Sequence, residues 1–311
     1  MNKINFLLFV LMSISIAGFS QEKLSDTIVW TLNLDDVVVT AQYAPTDSRS
    51  AVHKIRTISN ATIQQRGVTN LEQLLSQELN IRISQDMILG SSINLQGVSG
   101  QNVQIMIDGV PIIGRVGGDI DLGQVNLANI ERVEIIEGPL SVNFGTNALG
   151  GVINLITKKT QIHKFNTQIN VLWEDVSRQN KSFSFGIRPD TDILVKFQAG
   201  YNKFNGFSPP SDDDKDKNQR STLWNPKEQK MGGFSVRYNL GKDQRLQYSA
   251  KWFNENITNL GKVRRPQYKP YAFDDYYQTL RQDFSLHQEG SIGSNFYLKT
   301  TLGYTFSKLE F

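Results

Sequence analysis

Histidines, carboxylates and glycine-flanked turns are the groups in this chain whose types and spacing could do chemistry. His53, His163 and His287 are scattered and form no metal-spaced cluster. The chain has no Cys, which excludes a thiol nucleophile, a Cys-ligated zinc or iron–sulfur site and a disulfide scaffold. Asp108 is an obvious candidate acid, but it precedes Gly109, and a tight turn wants Asp-Gly for backbone reasons alone. Gly97, Gly100 and Gly109 make no phosphate loop, because no Lys-Ser/Thr follows and no strand–turn–helix frame surrounds them. The acidic run from Asp212 to Lys217 lacks the Gly and the terminal Glu of a calcium loop and reads as solvated charge. Binding chemistry is what remains. Between Lys262 and Tyr271, Arg264 and Arg265 stand among Tyr268 and Tyr271, a mixture of cations and aromatics that suits an anionic ligand or a solvated loop. Two Gly-flanked segments, Met87-Ile88-Leu89 and the one around Arg115, are the other candidate ligand contacts. No catalytic residue, metal ligand set or cofactor is expected.

The elements that must position these groups change texture along the chain. Its 311 residues carry 33 Lys+Arg against 30 Asp+Glu, a net charge of +3 that implies no nucleic-acid partner. A mean hydropathy of −0.34 and one long apolar run exclude a polytopic helical membrane protein, though not a β-barrel. That run, Phe6 to Ile16, follows Lys3 and precedes Ala17-Gly18-Phe19-Ser20, the layout of a secretory signal peptide over 1–20 cut near Ser20/Gln21. Residues 47–158 read as a mixed α/β unit of short elements. Thr69 is the expected N-cap of a helix, with Glu72 three residues on. Val103–Ile107, turning at Asp108-Gly109 into Val110-Pro111-Ile112, is an expected hairpin. Ile130–Ile136 and Val152–Ile156 are further strands, the first ended by Gly138-Pro139.

From about residue 164 the pattern becomes strict alternation. Phe165, Thr167, Ile169, Val171 and Trp173 share one face, Asn166, Gln168 and Asn170 the other. Similar alternation runs through Phe183–Ile187, Ile193–Tyr201, Phe234–Tyr238, Leu246–Trp252, Leu280–Leu286 and Phe296–Phe306. About seven strands result, each of roughly ten to fourteen residues. Tight turns are expected near Arg188-Pro189-Asp190, Gly241-Lys242-Asp243 and Glu289-Gly290, and long connections near 206–228 and 257–275. Long connections therefore gather at one end, as in an outer-membrane barrel. Trp173, Tyr201, Trp252 and Tyr304 are placed near strand ends, where interfacial girdles belong. Alternation by itself also fits a soluble sandwich.

Two long segments go beyond texture. Ile130 to Pro139, with Glu131, Arg132, Glu134 and Gly138, is followed by Phe144 to Lys158, with Gly145, Asn147, Ala148, Gly150, Gly151 and Asn154. Together they resemble the plug-domain signature of TonB-dependent outer-membrane receptors. Ile93 to Gly97 and Val103 to Pro111, with Asp108 and Gly109, are similar to the earlier plug motif, and Asp35, Asp36, Val37, Val38, Val39, Thr40 and Ala41 resemble a TonB box. Gln96 departs from the Arg that members usually carry before this Gly, which removes a plug-to-barrel ion pair from that position.

The resemblance implies an α+β plug domain over 47–158 followed by antiparallel transmembrane β-barrel strands over 159–311. An N-terminal tether over 21–46 would carry the box at 35–41. About seven strands of an expected twenty-two or so would make an incomplete barrel and the chain a fragment. Too few residues separate the cut from the box for the extra domain of signalling receptors or of SusC-like importers. The implied partners are TonB, bound through the box by strand pairing, outer-membrane lipid, and a scarce nutrient such as a ferric siderophore, another iron chelate or a corrinoid. The implied role is active uptake across the bacterial outer membrane. The alternative is a secreted β-rich binding or structural protein with an N-terminal α/β domain.

Overall fold

The computed structural model describes residues 38–39, 46–47, 55–86, 90–95, 97–112, 120–138, 148–158, 163–209, 220–241, 244–265, 267, 269–292 and 296–310. Its inner unit contains β1 (Val38–Val39), β2 (Thr46–Asp47), β3 (Ile55–Ser59), β4 (Ile81–Asp86), β5 (Gly90–Leu95), β6 (Val98–Ser99), β7 (Val103–Ile107), β8 (Val110–Pro111), β9 (Ile130–Glu137) and β10 (Gly151–Thr157), with helices Asn60–Gln65 and Leu71–Leu75. A five-stranded sheet of order β3-β9-β10-β7-β8 forms its centre. β10 runs parallel to β7 and antiparallel to β9. All seven residues of β10 are buried, so this strand reads as a continuous apolar run broken only by Asn154 and the terminal Thr157. The short helix packs Leu71, Leu74 and Leu75, none of them exposed, into the core with Val133, Ile135, Ile153 and Leu155. The small sheet β4-β5-β6 covers one side through Ile81, Ile93 and Leu95.

The expected N-cap is displaced by one residue. Asn70, not Thr69, caps Leu71–Leu75, its Oδ1 accepting from the Gln73 amide at 2.9 Å. Gln73 reaches back to the Thr69 amide at 2.8 Å, so it plays the reciprocal part assigned to Glu72. Glu72 is thereby free to accept from Gln85 Nε2 at 2.6 Å, tying the helix to β4.

The wall is one antiparallel meander of seven strands: β11 (Phe165–Glu174), β12 (Arg178–Asp190), β13 (Ile193–Phe204), β14 (Lys227–Asn239), β15 (Gln244–Leu260), β16 (Asp274–Ile292) and β17 (Phe296–Glu310). A continuous sheet in sequence order is not a sandwich, which needs two packed sheets. The alternating faces stand as read. Ile169, Val171, Trp173, Leu302 and Tyr304 are more than 60% exposed on one side. Asn180, Gln229, Ser249, Glu255, Thr279 and Arg281 are buried on the other, against the inner unit.

Three expectations about the strands need correction. β12 continues through Arg188-Pro189-Asp190 with a register shift, and the turn falls at Thr191-Asp192. Gly290 pairs inside β16 with Gln244 and Leu298, so that turn lies after Ile292. β15, β16 and β17 are 17, 19 and 15 residues long, which leaves Trp252 and Tyr304 in mid-strand rather than at a rim. Single-residue alternation marks a strand's faces but carries no signal of where its pairing stops.

Candidate functional site

The signature residues of the inner unit hold its sheet together. Asp108 and Gly109 form the two-residue link of the β7–β8 hairpin, with φ of 51° and 81°, the left-handed pair of a type I′ turn. The Asp108 carboxylate accepts from the Thr157 amide at 3.0 Å and from Thr157 Oγ1 at 2.6 Å. Asn154 Oδ1 accepts from the Gly109 amide at 3.1 Å. The turn is thus bolted to the far end of β10. Gly151 lies where a Cβ would fall 2.4 Å from the Ile136 carbonyl oxygen, and its φ of +140° is one that L side chains rarely adopt. At Gly150 a Cβ would meet Val98 at 2.8 Å. Ala148 is fully buried beside Met106, Ile136 and Val152. Arg132 Nε donates to the unexposed Glu134 at 2.9 Å and Nη1 reaches Glu131 at 3.5 Å. Gly97 and Gly138 have φ of 86° and 107° at strand ends. Pro139, Gly145 and Asn147 lie outside the described residues, as do Gln96, His53 and the acidic run at 212–217.

Where the inner unit meets the wall, a buried polar cluster joins them. Asp121 precedes the 3₁₀ turn Leu122–Gln124, and its Oδ1 accepts from the Gly123 amide at 2.9 Å and the Ser91 amide at 3.1 Å. Gly90 admits this approach: a Cβ there would lie 2.2 Å from the Asp121 carboxyl carbon. From the wall, Lys227 Nζ lies 3.2 Å from Asp121 Oδ2 and 3.7 Å from Glu255 Oε2. Glu255 accepts from Gln124 Nε2 of the inner unit at 3.0 Å and from Gln229 Nε2 of the wall at 2.7 Å. Neither carboxylate side chain is exposed, whereas that of Lys227 is 26% exposed. Sequence reading missed this cluster. Its one available signal is Glu255 itself, an ionisable residue within a strand otherwise shaped to span lipid.

Above the cluster lies a cavity of ≈ 170 Å³. Glu72, Gln85 and Asp86 line it from the inner unit, and Arg178, Lys203, Trp224 and Lys227 from the wall. Asn202 on the wall donates to Gln229 at 3.0 Å, continuing the hydrogen-bonded chain from the cavity lining to Glu255. The two long connections rise at this same end. In one, Phe207 and Trp224 pair through their backbones with rings 5.8 Å apart. In the other, Arg264 and Tyr271 exchange backbone hydrogen bonds at 2.8 and 3.0 Å, and the Arg264 guanidinium lies 5.9 Å from the Phe273 ring. Arg220 Nη2 to Asp274 Oδ2, 2.6 Å, links the two connections. Arg265 is exposed, and Met87, Ile88, Leu89, Arg115 and Tyr268 lie outside the described residues.

At the opposite end Lys158 leads from β10 to the wall, donating to the Ala128 carbonyl at 3.2 Å and Gln168 Oε1 at 3.1 Å. Burial pulls its ammonium below the usual lysine range, with Glu131 opposing that shift. Of the segment expected to be a TonB box, Val38–Val39 pairs antiparallel with Thr46–Asp47; its other residues, Asp35, Asp36, Val37, Thr40 and Ala41, lie outside the described residues. His287 faces Thr301 at 3.1 Å across β16 and β17.

Residues 47–152 match the family model described as TonB-dependent Receptor Plug Domain. Solved structures share the fold across both units. The ferric yersiniabactin uptake receptor FyuA from Yersinia pestis is 16% identical with a TM-score of 0.65, covering 83% of this chain and 41% of that one. A mutant of the ferric enterobactin receptor PfeA from Pseudomonas aeruginosa is 18% identical, TM-score 0.65, over 88% of this chain and 42% of that one. The pyoverdine outer membrane receptor FpvA from Pseudomonas aeruginosa PAO1 is 15% identical, TM-score 0.65, over 87% and 41%. The chain therefore spans about two fifths of the length of these receptors.

Proposed function

We propose, from a chain that carries the plug domain of TonB-dependent receptors and shares their fold through the first wall strands, that the protein serves active uptake of a ferric siderophore across the bacterial outer membrane. The observation that carries this reading is the arrangement of the plug. It lies on the polar face of a meander whose other face is an apolar surface suited to lipid, and it is fastened there by Asp121, Lys227 and Glu255. A plug so placed blocks passage along that face until it is moved. The cavity lined by Arg178, Lys203 and Lys227 with Phe204 and Trp224, and by Glu72 and Asp86 on the plug side, offers cations and aromatics suited to an anionic iron chelate. Binding there needs no covalent chemistry from the receptor.

The box supplies the route for energy. A Val-rich segment joined to the plug by a short tether can add as a strand to a sheet edge of TonB in the periplasm. Its short pairing with Thr46–Asp47 involves two residues, Val38 and Val39, and gives way readily to a longer intermolecular ladder. Growth of a deletion strain on single iron or cobalamin sources, with the gene restored, identifies the nutrient. Val38→Pro removes a ladder donor and is expected to abolish energised uptake while leaving chelate binding intact. Unchanged uptake would place the box elsewhere. Rescue on cobalamin alone would overturn the iron assignment.

A further inference from the structure

We propose that Lys227 is a positioning residue that couples occupation of the outer cavity to release of the plug, by being drawn from two buried carboxylates to an anionic ligand. The inference rests on the importer reading above and deepens it. Lys227 stands on the boundary between two environments. Its ammonium bridges Asp121 of the plug and Glu255 of the wall, both wholly buried, while part of its side chain lines the outer cavity. Lys203 and Arg178 border the same cavity, so an anion entering it meets three cations and, on the plug side, the two carboxylates of Glu72 and Asp86. Two of these have other surroundings. Arg178 pairs with Glu174 at 3.4 Å and lies over the Phe204 ring, and Lys203 is exposed on the cavity wall. Lys227 alone of the three reaches the plug carboxylate.

The physical consequence follows from burial. While the ammonium sits between them, the two carboxylates attract a common cation and the plug is held to the wall. When an anion in the cavity competes for that ammonium, Asp121 and Glu255 lose their shared counter-charge in a site water does not reach. Like charges there repel more strongly than at a surface. The plug-side contacts to Lys227 and Glu255 described above come from Asp121 and Gln124, at the two ends of one short segment, so the repulsion acts on that turn. The force acts between a plug residue and a wall residue, across the boundary that joins them.

The hydrogen-bonded chain from Asn202 through Gln229 to Glu255 gives the variant that separates coupling from support. Glu255→Gln keeps an oxygen that accepts from Gln229 and, with the Gln124 amide turned over, an NH2 that donates to Gln124, but removes one claim on Lys227. The test uses cells producing the full chain from its gene, with labelled ferric enterobactin, ferric yersiniabactin and ferripyoverdine as probes. Binding is measured in de-energised cells and uptake in energised ones. Glu255→Gln is expected to bind the accepted chelate about ten-fold tighter, within the usual range of site-to-site coupling, while uptake at saturation falls by about the same factor. Lys227→Arg should retain both, and Lys227→Gln should weaken binding. A merely supporting residue would lower binding capacity and uptake together, and that result, or no change in either for Glu255→Gln, would overturn the coupling. A parent that transports a chelate while Glu255→Gln behaves like it defeats this inference alone. A parent that binds none of the three and restores growth on no single iron source defeats the importer reading and the inference with it.

Discussion

Asp108 separates the demands of a turn from those of the sheet it serves, and replacing it tests both. Its φ of 51° costs an alanine roughly 1 kcal/mol, a cost that Asp and Asn largely escape by local hydrogen bonding. Its carboxylate also makes the bonds of 3.0 and 2.6 Å to Thr157, each worth about 1.5 kcal/mol at the low end for a charged acceptor. Asp108→Ala should therefore destabilise the plug sheet by about 4 kcal/mol. Asp108→Asn keeps the left-handed backbone and can still accept from the Thr157 amide and donate to its hydroxyl, and should cost about 1.5 kcal/mol. The gap of about 2.5 kcal/mol is nearly a hundred-fold in an opening equilibrium. Hydrogen exchange of the detergent-solubilised chain, followed at the paired amides of β7 and β10, reads that equilibrium directly. Tryptophan emission would not serve, because none of the chain's Trp residues lies between 47 and 158. Equal protection in the two variants would refute the reasoning, since it would mean that the Thr157 bonds contribute nothing.

The remaining predictions concern close packing, the lipid face and the outer connections. Gly151→Ala places a methyl against the Ile136 carbonyl and should make the plug protease-sensitive, at a cost above about 3 kcal/mol; a resistant plug would show that β10 can shift. Leu302→Arg on the exposed face of β17 should reduce heat-modifiable, membrane-inserted protein by about 2–4 kcal/mol at mid-bilayer, while Thr301→Arg on the opposite face should not; similar yields would place the lipid face wrongly. Arg220→Ala breaks the half-exposed pair with Asp274 and should speed chymotryptic cleavage at Phe207 and Trp224, with overall stability unchanged within about 0.5 kcal/mol. Loss of the folded protein instead would make that pair structural.

Much of the architecture was legible because alternation and turn chemistry are local. The β7–β8 hairpin, the strand Ile130–Glu137 and the two faces of the wall follow from residues read in order. The N-cap slipped by one because Thr69 and Asn70 are both good caps, and the choice between them is made by Gln73 and by the Leu71 amide donating to Val125. Turns at Arg188–Asp190 and Glu289-Gly290 were misplaced because a register shift between Ile187 and Asp190 accommodates Pro189 within β12, while Gly290 is paired in an unbroken ladder with Gln244 and Leu298. The site was the least legible part. The plug signature pointed to residues that hold the sheet, whereas the plug–wall cluster is assembled from Asp121, Lys227 and Glu255. Those positions are related only through the fold, and nothing in their local sequence pairs them.

That separation has a kinetic side. Every pairing in the wall joins neighbours in sequence, so its hairpins close short loops and can form one after another. The plug must instead bring β3 to β9 across more than seventy residues, and the bond from Gln124 to Glu255 spans 131. Loop closure of that length comes late. The fastening of plug to wall is therefore expected to form late in assembly, after the rate-limiting step. Strengthening it would leave the rate of folding unchanged and slow only the rate at which the finished protein comes apart.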